Sequence, residues 1–148
     1  MKKLFYFFIV LIPILAIILY PTNVLVISDG NTSHTFIIGG DGLNVTIYYI
    51  HSVERSPVYE MLRVNGSGIY VVEMKWQDFG AGLPEDIQKL QNGYYVKYVD
   101  IYIGKNFSYW FIPLNHAHIW VNGVLVYAPH SDTLLHFNVE RTVLVSVV

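Results

Sequence analysis

Apolar and polar residues alternate with a period of two along most of the chain after residue 22. Between residues 43 and 49, Leu43, Val45, Ile47 and Tyr49 alternate with Asn44, Thr46 and Tyr48. This alternation is typical of a β-strand with one buried face. Further strand-like segments rich in Val, Ile, Tyr, Phe and Trp follow at 69–76, 94–103, 109–121, 124–127, 134–139 and 142–148.

Turn-forming residues separate these segments. Asn-Gly pairs stand at 65–66, 92–93 and 122–123, and such pairs favour hairpins because both residues adopt positive φ readily. Counted from Val24, the pattern predicts nine to ten strands at hairpin spacing. It therefore predicts an all-β fold, an antiparallel β-sandwich or barrel. One short helix is predicted at Pro84 to Leu90, where Pro comes early and acidic residues occupy the first turn.

The first 21 residues follow a different pattern. Lys2 and Lys3 precede an apolar run of 17 residues, Leu4 to Tyr20. As a helix this run would be about 25 Å long, near the lower limit of spanning lengths. Because no small-residue cleavage pattern follows, we expect an uncleaved signal-anchor transmembrane helix at 1–21 and one β domain at 22–148. A cleaved signal peptide and a buried core segment are the alternatives.

Charge and sequons predict the location of the β domain. No Lys or Arg follows Lys3 until Arg55, so the positive-inside rule predicts a single-pass protein of the cell membrane with its C-terminal domain outside the cytoplasm. Asn-x-Ser/Thr sequons, which favour a glycosylated outside domain, begin at Asn31, Asn44, Asn65 and Asn106. The alternative is that Asn and Ser simply share turns.

Composition narrows the function classes. Without Lys2 and Lys3 the domain has 7 basic and 11 acidic residues, a net charge of −4, which argues against a nucleic-acid partner. The chain has no Cys, so disulfides and thiolate chemistry are excluded. No P-loop, dinucleotide fingerprint or G-x-S-x-G motif occurs, and we therefore expect no cofactor.

Candidate polar chemistry is concentrated just after the strand that ends near Ile50. There the chain carries a cluster of polar residues: His51, Ser52, Glu54, Arg55 and Glu60. Alternation places His51 and Glu60 on the apolar faces of their strands. It places Glu73, on the following strand, on the apolar face as well.

Buried ionisable groups need partners, and Arg55 and Arg63 are the nearby cations. Three interpretations stay open: a hydrogen-bonded cluster that shapes the turn from Ser52 to Pro57, a ligand-binding site, and a catalytic site.

Two other features have weaker signals. His116 and His118 share a strand face and could bind a metal together with His51 or a Glu, but the spacing matches no known zinc motif, so no metal site is predicted. A second polar turn contains Phe79, Gly80, Gly82 and Pro84. Its glycines could present N–H groups to an anion or simply allow positive φ before Pro.

The segments His51–Val58, with Glu60, and Phe79–Pro84 resemble domain-of-unknown-function family 1850. In that family a THSVE-type strand end and a Pro-Val-x-Glu step precede an F-G-A-G-L-P turn, and this chain differs by having Ile50 where Thr is usual. The resemblance implies a small exported or membrane-anchored protein. It also implies an accessory role beside TRAP-type solute transporters of the TAXI class, because the genes often lie together.

The resemblance and the sequence together lead to one principal functional expectation. We expect a non-enzymatic, membrane-anchored extracytoplasmic domain that partners a TRAP-type permease or its solute-binding protein. The alternatives are a small-anion or metal-binding domain that uses His51, Glu54 and Glu60, and a surface-structural protein whose edge strands pair with neighbours.

Overall fold

A computed structural model describes residues 2–80 and 82–147 of the chain. One helix, α1, spans Lys2–Ile18, and two single-turn 3₁₀ helices span Pro113–Asn115 and Leu144–Ser146. The strands β1 to β11 span, in order, Pro21–Ser28, Ser33–Ile37, Leu43–Ile50, Pro57–Asn65, Gly68–Trp76, Lys89–Gln91, Tyr94–Gly104, Asn106–Phe111, His118–Val121, Val124–Tyr127 and Thr133–Val143.

The strands form two packed sheets. The smaller has the order β2-β1-β11-β8, and the larger has the order β10-β9-β3-β4-β5-β7-β6. All the pairings among the described strands are antiparallel. The all-β sandwich prediction is confirmed, with eleven strands rather than nine or ten. Both sheets keep open edges within the described residues, so the barrel alternative is wrong.

The core lies between the sheets and follows the sequence alternation. Leu43, Val45, Ile47 and Tyr49 of β3 are all buried, whereas Asn44 between them is exposed. The smaller sheet contributes residues of β1, β8 and β11 to the same apolar cluster. A two-layer sandwich results because each sheet has one apolar face to remove from water.

Helix α1 occupies most of the segment predicted as an anchor. Its large apolar side chains at Ile9, Val10, Ile12 and Ile17 are exposed. None of the helices among the described residues has both the length and the apolar character needed to cross a bilayer. The transmembrane span at 1–21 therefore stays a prediction.

The helix prediction for Pro84 to Leu90 is wrong. Residues 89–91 instead form β6, which pairs with β7 across the Asn92-Gly93 turn. Just before β6, the Gln88 side chain accepts a hydrogen bond from the Tyr98 N–H and donates one to the Tyr98 carbonyl. Pairing with β7 thus overrides the local helix signals.

Candidate functional site

Glu60 connects the two sheets from the middle of β4. It pairs with Ile47 of β3, which is fully buried, so its side chain shares the core face of the larger sheet. The hydroxyl of Tyr49 on β3 donates to Glu60 Oε1 at 3.0 Å, and the hydroxyl of Tyr109 on β8 donates to the same oxygen at 2.8 Å. Because β8 belongs to the smaller sheet, one carboxyl oxygen accepts from both layers.

Burial dominates the electrostatics of this triad. It raises the pKa of the Glu60 carboxyl above its ordinary value, and the hydrogen bonds from Tyr109 and Tyr49 oppose that shift. The pKa values of Tyr49 and Tyr109 are raised, first by burial and then by the neighbouring Glu60 charge. Both phenols therefore keep their protons throughout the physiological range.

Backbone hydrogen bonds fix the loop that joins β3 to β4, which contains most of the first polar segment, residues 51–60. The His51 N–H donates to the Ser56 carbonyl at 2.8 Å, and the Arg55 N–H donates to the His51 carbonyl at 2.9 Å. The Glu54 N–H donates to His51 Nδ1 at 3.2 Å. This last bond requires an unprotonated Nδ1, so the neutral imidazole carries its proton on Nε2.

The second polar segment, the turn at residues 79–84, lies against the first. A methyl group built on Gly80 would lie only 2.5 Å from Glu54 Cγ and 2.8 Å from Glu54 Oε1. The Glu54 side chain thus covers the Gly80 backbone. A side chain at position 80 would fit only if the Glu54 side chain moved away. The Leu83 N–H donates to the Gly80 carbonyl at 3.0 Å, and Gly82 has φ of +84° within this turn.

Phe79 and Leu83 fasten that turn to the body of the domain. The Leu83 side chain is buried in the core cluster. The Phe79 ring packs at 4.5 Å from the Tyr95 ring, while remaining half exposed. Pro84 follows directly and is partly buried.

The two polar segments meet at a cleft of about 370 Å³ at one end of the sandwich. His51 and Ser52 of the first segment and Gly82 and Leu83 of the second line it. The remaining lining comes from both sheets and the 3₁₀ turn: Tyr49, Tyr109, Trp110, Ile112 and Asn115. A concave site with a few convergent polar groups is the usual form of a small-molecule site.

Asn115 holds one wall of the cleft in place. It is buried, its Nδ2 donates to the Ile50 carbonyl at 2.9 Å, and its Oδ1 accepts from the Ile112 N–H at 2.8 Å. The side chain therefore ties the 3₁₀ turn after β8 to the end of β3.

One member of the predicted cluster, Glu73, lies away from it, and another, Arg55, is exposed. Glu73 pairs with Met61, whereas Val71 pairs with the next residue, Leu62, so Val72 is an extra residue in β5. This β-bulge reverses the alternation, and Glu73 lies on the outer face in an ion pair with Lys75 at 3.1 Å. The expectation that Glu73 points inward is wrong. Arg55 is exposed, has φ of +58° and forms no ion pair with another described residue.

The histidines considered as weak metal ligands are also dispersed. His116 is exposed in a left-handed conformation, and His118 directs Nδ1 to the His116 carbonyl at 2.9 Å. The His118 ring stacks on Trp120 at 5.5 Å on the outer face of the larger sheet. In the part of the chain that the structure describes, no three His, Asp or Glu residues could hold a metal ion.

The four sequons lie at the surface to different degrees. Asn31, Asn44 and Asn106 are exposed. Asn65 is only partly exposed, and its Oδ1 accepts from the N–H groups of Ser67 and Gly68. The Asn65 side chain is therefore less accessible to a glycosylating enzyme than the other three.

Sequence reasoning missed Tyr49, Tyr109 and Asn115 as site residues. A signal for the tyrosines was present, since each alternates with apolar residues and a buried phenol needs a hydrogen-bond partner. The signal does not name the partner, because Tyr109 is 49 positions away from Glu60.

Comparison with known families identifies the family of this chain. Residues 45–128 match the family described as "Domain of unknown function (DUF1850)". This match covers more than half of the 148 residues. The chain belongs to that family. The matched region contains both polar segments that line the cleft, together with Tyr49, Glu60 and Tyr109. No curated protein and no solved structure matches the chain.

Proposed function

We propose that this protein is a non-enzymatic binding domain, anchored to the cell membrane and facing outward, that serves a TRAP-type solute-uptake system. The cleft bounded by Tyr49, Tyr109, Leu83 and Asn115 holds its small ligand. The observation that carries this proposal is that His51 and Ser52 meet Gly82 and Leu83, at least 30 positions further along the chain, at one cleft beside the buried Glu60. A structural cluster alone would not need to line a cavity.

The membrane part is supported by the surface of α1. Its exposed residues are apolar all round the helix, including Ile9, Ile12, Ile14 and Ile17. Each square ångström of apolar surface left in water costs about 25 cal/mol. A helix that is apolar on every face belongs in an apolar environment, and insertion into a bilayer supplies it. The partnership with a TRAP-type permease or its solute-binding protein rests on the family resemblance.

A pull-down from native membranes tests both parts. The full-length chain is compared with Ser52→Trp, which places an indole at the cleft from an exposed position, and with Ser131→Trp, an exposed control in another loop. Mass spectrometry identifies the co-purified proteins and any small molecule released on denaturation.

We expect TRAP-type components with the wild-type chain. We also expect a small molecule with the wild-type chain and Ser131→Trp but not with Ser52→Trp. Recovery of neither TRAP-type components nor a cleft-dependent small molecule refutes the proposal.

A further inference from the structure

The chemistry of the cleft selects among ligand classes. Each phenol has one proton, and Tyr49 and Tyr109 both direct theirs to Glu60 Oε1. Their oxygens consequently present only lone pairs to any further partner. Both tyrosines line the cleft, and their phenol oxygens, backed by the Glu60 carboxyl group, offer acceptors to a ligand there.

The described lining contains no Lys or Arg side chain. His51 is the one ionisable nitrogen base in it, and its Nδ1 already accepts the Glu54 N–H. The domain outside the first 21 residues also carries more acidic than basic residues, so its field attracts cations and repels anions. An anion entering the cleft would meet lone pairs and a carboxyl rather than a counter-charge.

Three aromatic residues, Tyr49, Tyr109 and Trp110, line the cleft. The Tyr49 and Tyr109 rings lie 5.6 Å apart, and the Tyr109 ring stacks on Phe111 at 4.7 Å. Trp110 adds an exposed indole to the cleft lining. Aromatic rings attract cations electrostatically, and the attraction strengthens when water is excluded.

We propose that the cleft binds its ligand through a protonated amine, held by the oxygens of Tyr49 and Tyr109, with Glu60 behind them as the negative counter-charge. This inference rests on the proposed binding function and specifies its ligand class. It also explains why an ionisable carboxyl group is buried at position 60. Burial raises the pKa of this carboxyl, and a bound cation would supply the opposite charge that a buried carboxylate needs.

Three probes of equal carbon number separate the ligand classes. These are 1,4-diaminobutane, 1,4-butanediol and succinate, which carry amine, neutral hydroxyl and carboxylate groups. Isothermal titration calorimetry on the full-length protein in detergent measures each affinity, and thermal shift provides a second readout. We expect the diamine to bind at least tenfold more tightly than the diol, and succinate to give no binding.

Variants connect the affinity to the named atoms. Glu60→Gln preserves the shape but removes the charge, and we expect it to weaken diamine binding at least tenfold. Tyr49→Phe and Tyr109→Phe should each weaken it as well, whereas Tyr98→Phe, an exposed tyrosine on β7, should not. If Glu60→Gln fails to fold, the two Tyr→Phe variants provide the test.

The outcomes distinguish this inference from the proposed function. Succinate binding more tightly than the diamine, with loss in Ser52→Trp, overturns the amine inference but supports a ligand site. Unchanged diamine affinity in Glu60→Gln, or binding of none of the three probes, overturns the inference too. The proposed function is then decided by the pull-down, which does not depend on these probes.

Discussion

Tyr109 of the smaller sheet donates a hydrogen bond to Glu60 of the larger sheet at 2.8 Å, on the same carboxyl oxygen that accepts from Tyr49. Contacts between the layers of a sandwich are mostly apolar. A carboxyl at this position is therefore both a polar link between the sheets and a destabilising group when it is ionised. The first two predictions follow from that double role.

Glu60→Gln should change how stability depends on pH. Burial raises the Glu60 pKa in the folded chain above its ordinary value of 4.5, so above that pH the folded state binds this proton more tightly than the unfolded state. The free energy of unfolding should therefore fall as pH rises from 4.5 through the folded pKa. Gln does not titrate. The free energy of unfolding of the variant should therefore rise relative to that of wild type over this interval, by about 1.4 kcal/mol for each unit of pKa shift.

Urea unfolding of both proteins at a series of pH values measures this difference. Other titrating groups are common to the two chains and cancel in the comparison. If the free energies of unfolding of the two proteins change with pH in parallel, folding does not shift the pKa of Glu60.

Tyr49→Phe and Tyr109→Phe should destabilise the domain in a coupled way. Each removes one donor to Glu60 Oε1, with an expected cost of about 1–2 kcal/mol. After the first substitution the other phenol still donates to this oxygen, but the double variant removes both donors. The double cost should therefore exceed the sum of the single costs, with a coupling energy of at least about 0.5 kcal/mol.

Equilibrium denaturation of the four proteins in this cycle provides the coupling energy. Tyr98→Phe serves as the control, because this exposed tyrosine lies outside the triad. Strict additivity would mean that the two phenols do not share the carboxyl oxygen in solution.

Gly80→Ala should be tolerated only when Glu54 is shortened. The added methyl group would lie 2.5 Å from Glu54 Cγ, so Glu54 must move away and lose its packing over the turn. We expect a loss of about 1 kcal/mol in the wild-type background. In a Glu54→Ala background the loss should vanish, or become a small gain through reduced freedom of the unfolded chain.

Gly42→Ala is the matched contrast. There the added methyl group would lie 2.5 Å from the Val64 carbonyl oxygen, and φ is +77°. A backbone atom and a left-handed conformation do not yield as a side chain does, so this change should cost more than Gly80→Ala. Thermal denaturation ranks the variants, and an equal cost at the two glycines would contradict the contact with Glu54.

Helix α1 should remain attached to the mature protein and hold it at the membrane. We expect N-terminal sequencing of native protein to begin before Leu4, and alkaline extraction of membranes to leave the protein in the pellet. The reason is the exposed apolar surface of the helix, which water does not solvate favourably. A mature chain starting between Pro21 and Asp29 would show cleavage instead.

Sugars, where attached, should be found at Asn31, Asn44 and Asn106 before Asn65. The first three residues are exposed, whereas Asn65 is only partly exposed and is therefore less accessible to a glycosylating enzyme. Intact-mass measurement of native protein, followed by Asn→Gln variants at each position, assigns the occupied sites. Absence of any added hexose refutes use of the sequons, and occupancy of Asn65 alone would contradict the ranking.

The sequence by itself determined the strand pattern, the turns and one half of the candidate site. Alternation of apolar residues and Asn-Gly pairs are short-range signals, so the buried face of β3 and the inward position of Glu60 could be read from neighbours alone. The resemblance of the two polar segments to one family also drew attention to the residues that now line one cleft.

The tertiary structure decided the rest, because the deciding contacts join residues far apart in the chain. A single extra residue at Val72 turned Glu73 outward, and pairing with β7 made a strand of 89–91, where local signals favoured a helix. Assignment of β8 to the smaller sheet brought Tyr109 to Glu60. Periodicity specifies which face of a strand is buried, but the partner across the core depends on how the two sheets pack, and local patterns contain no record of that packing.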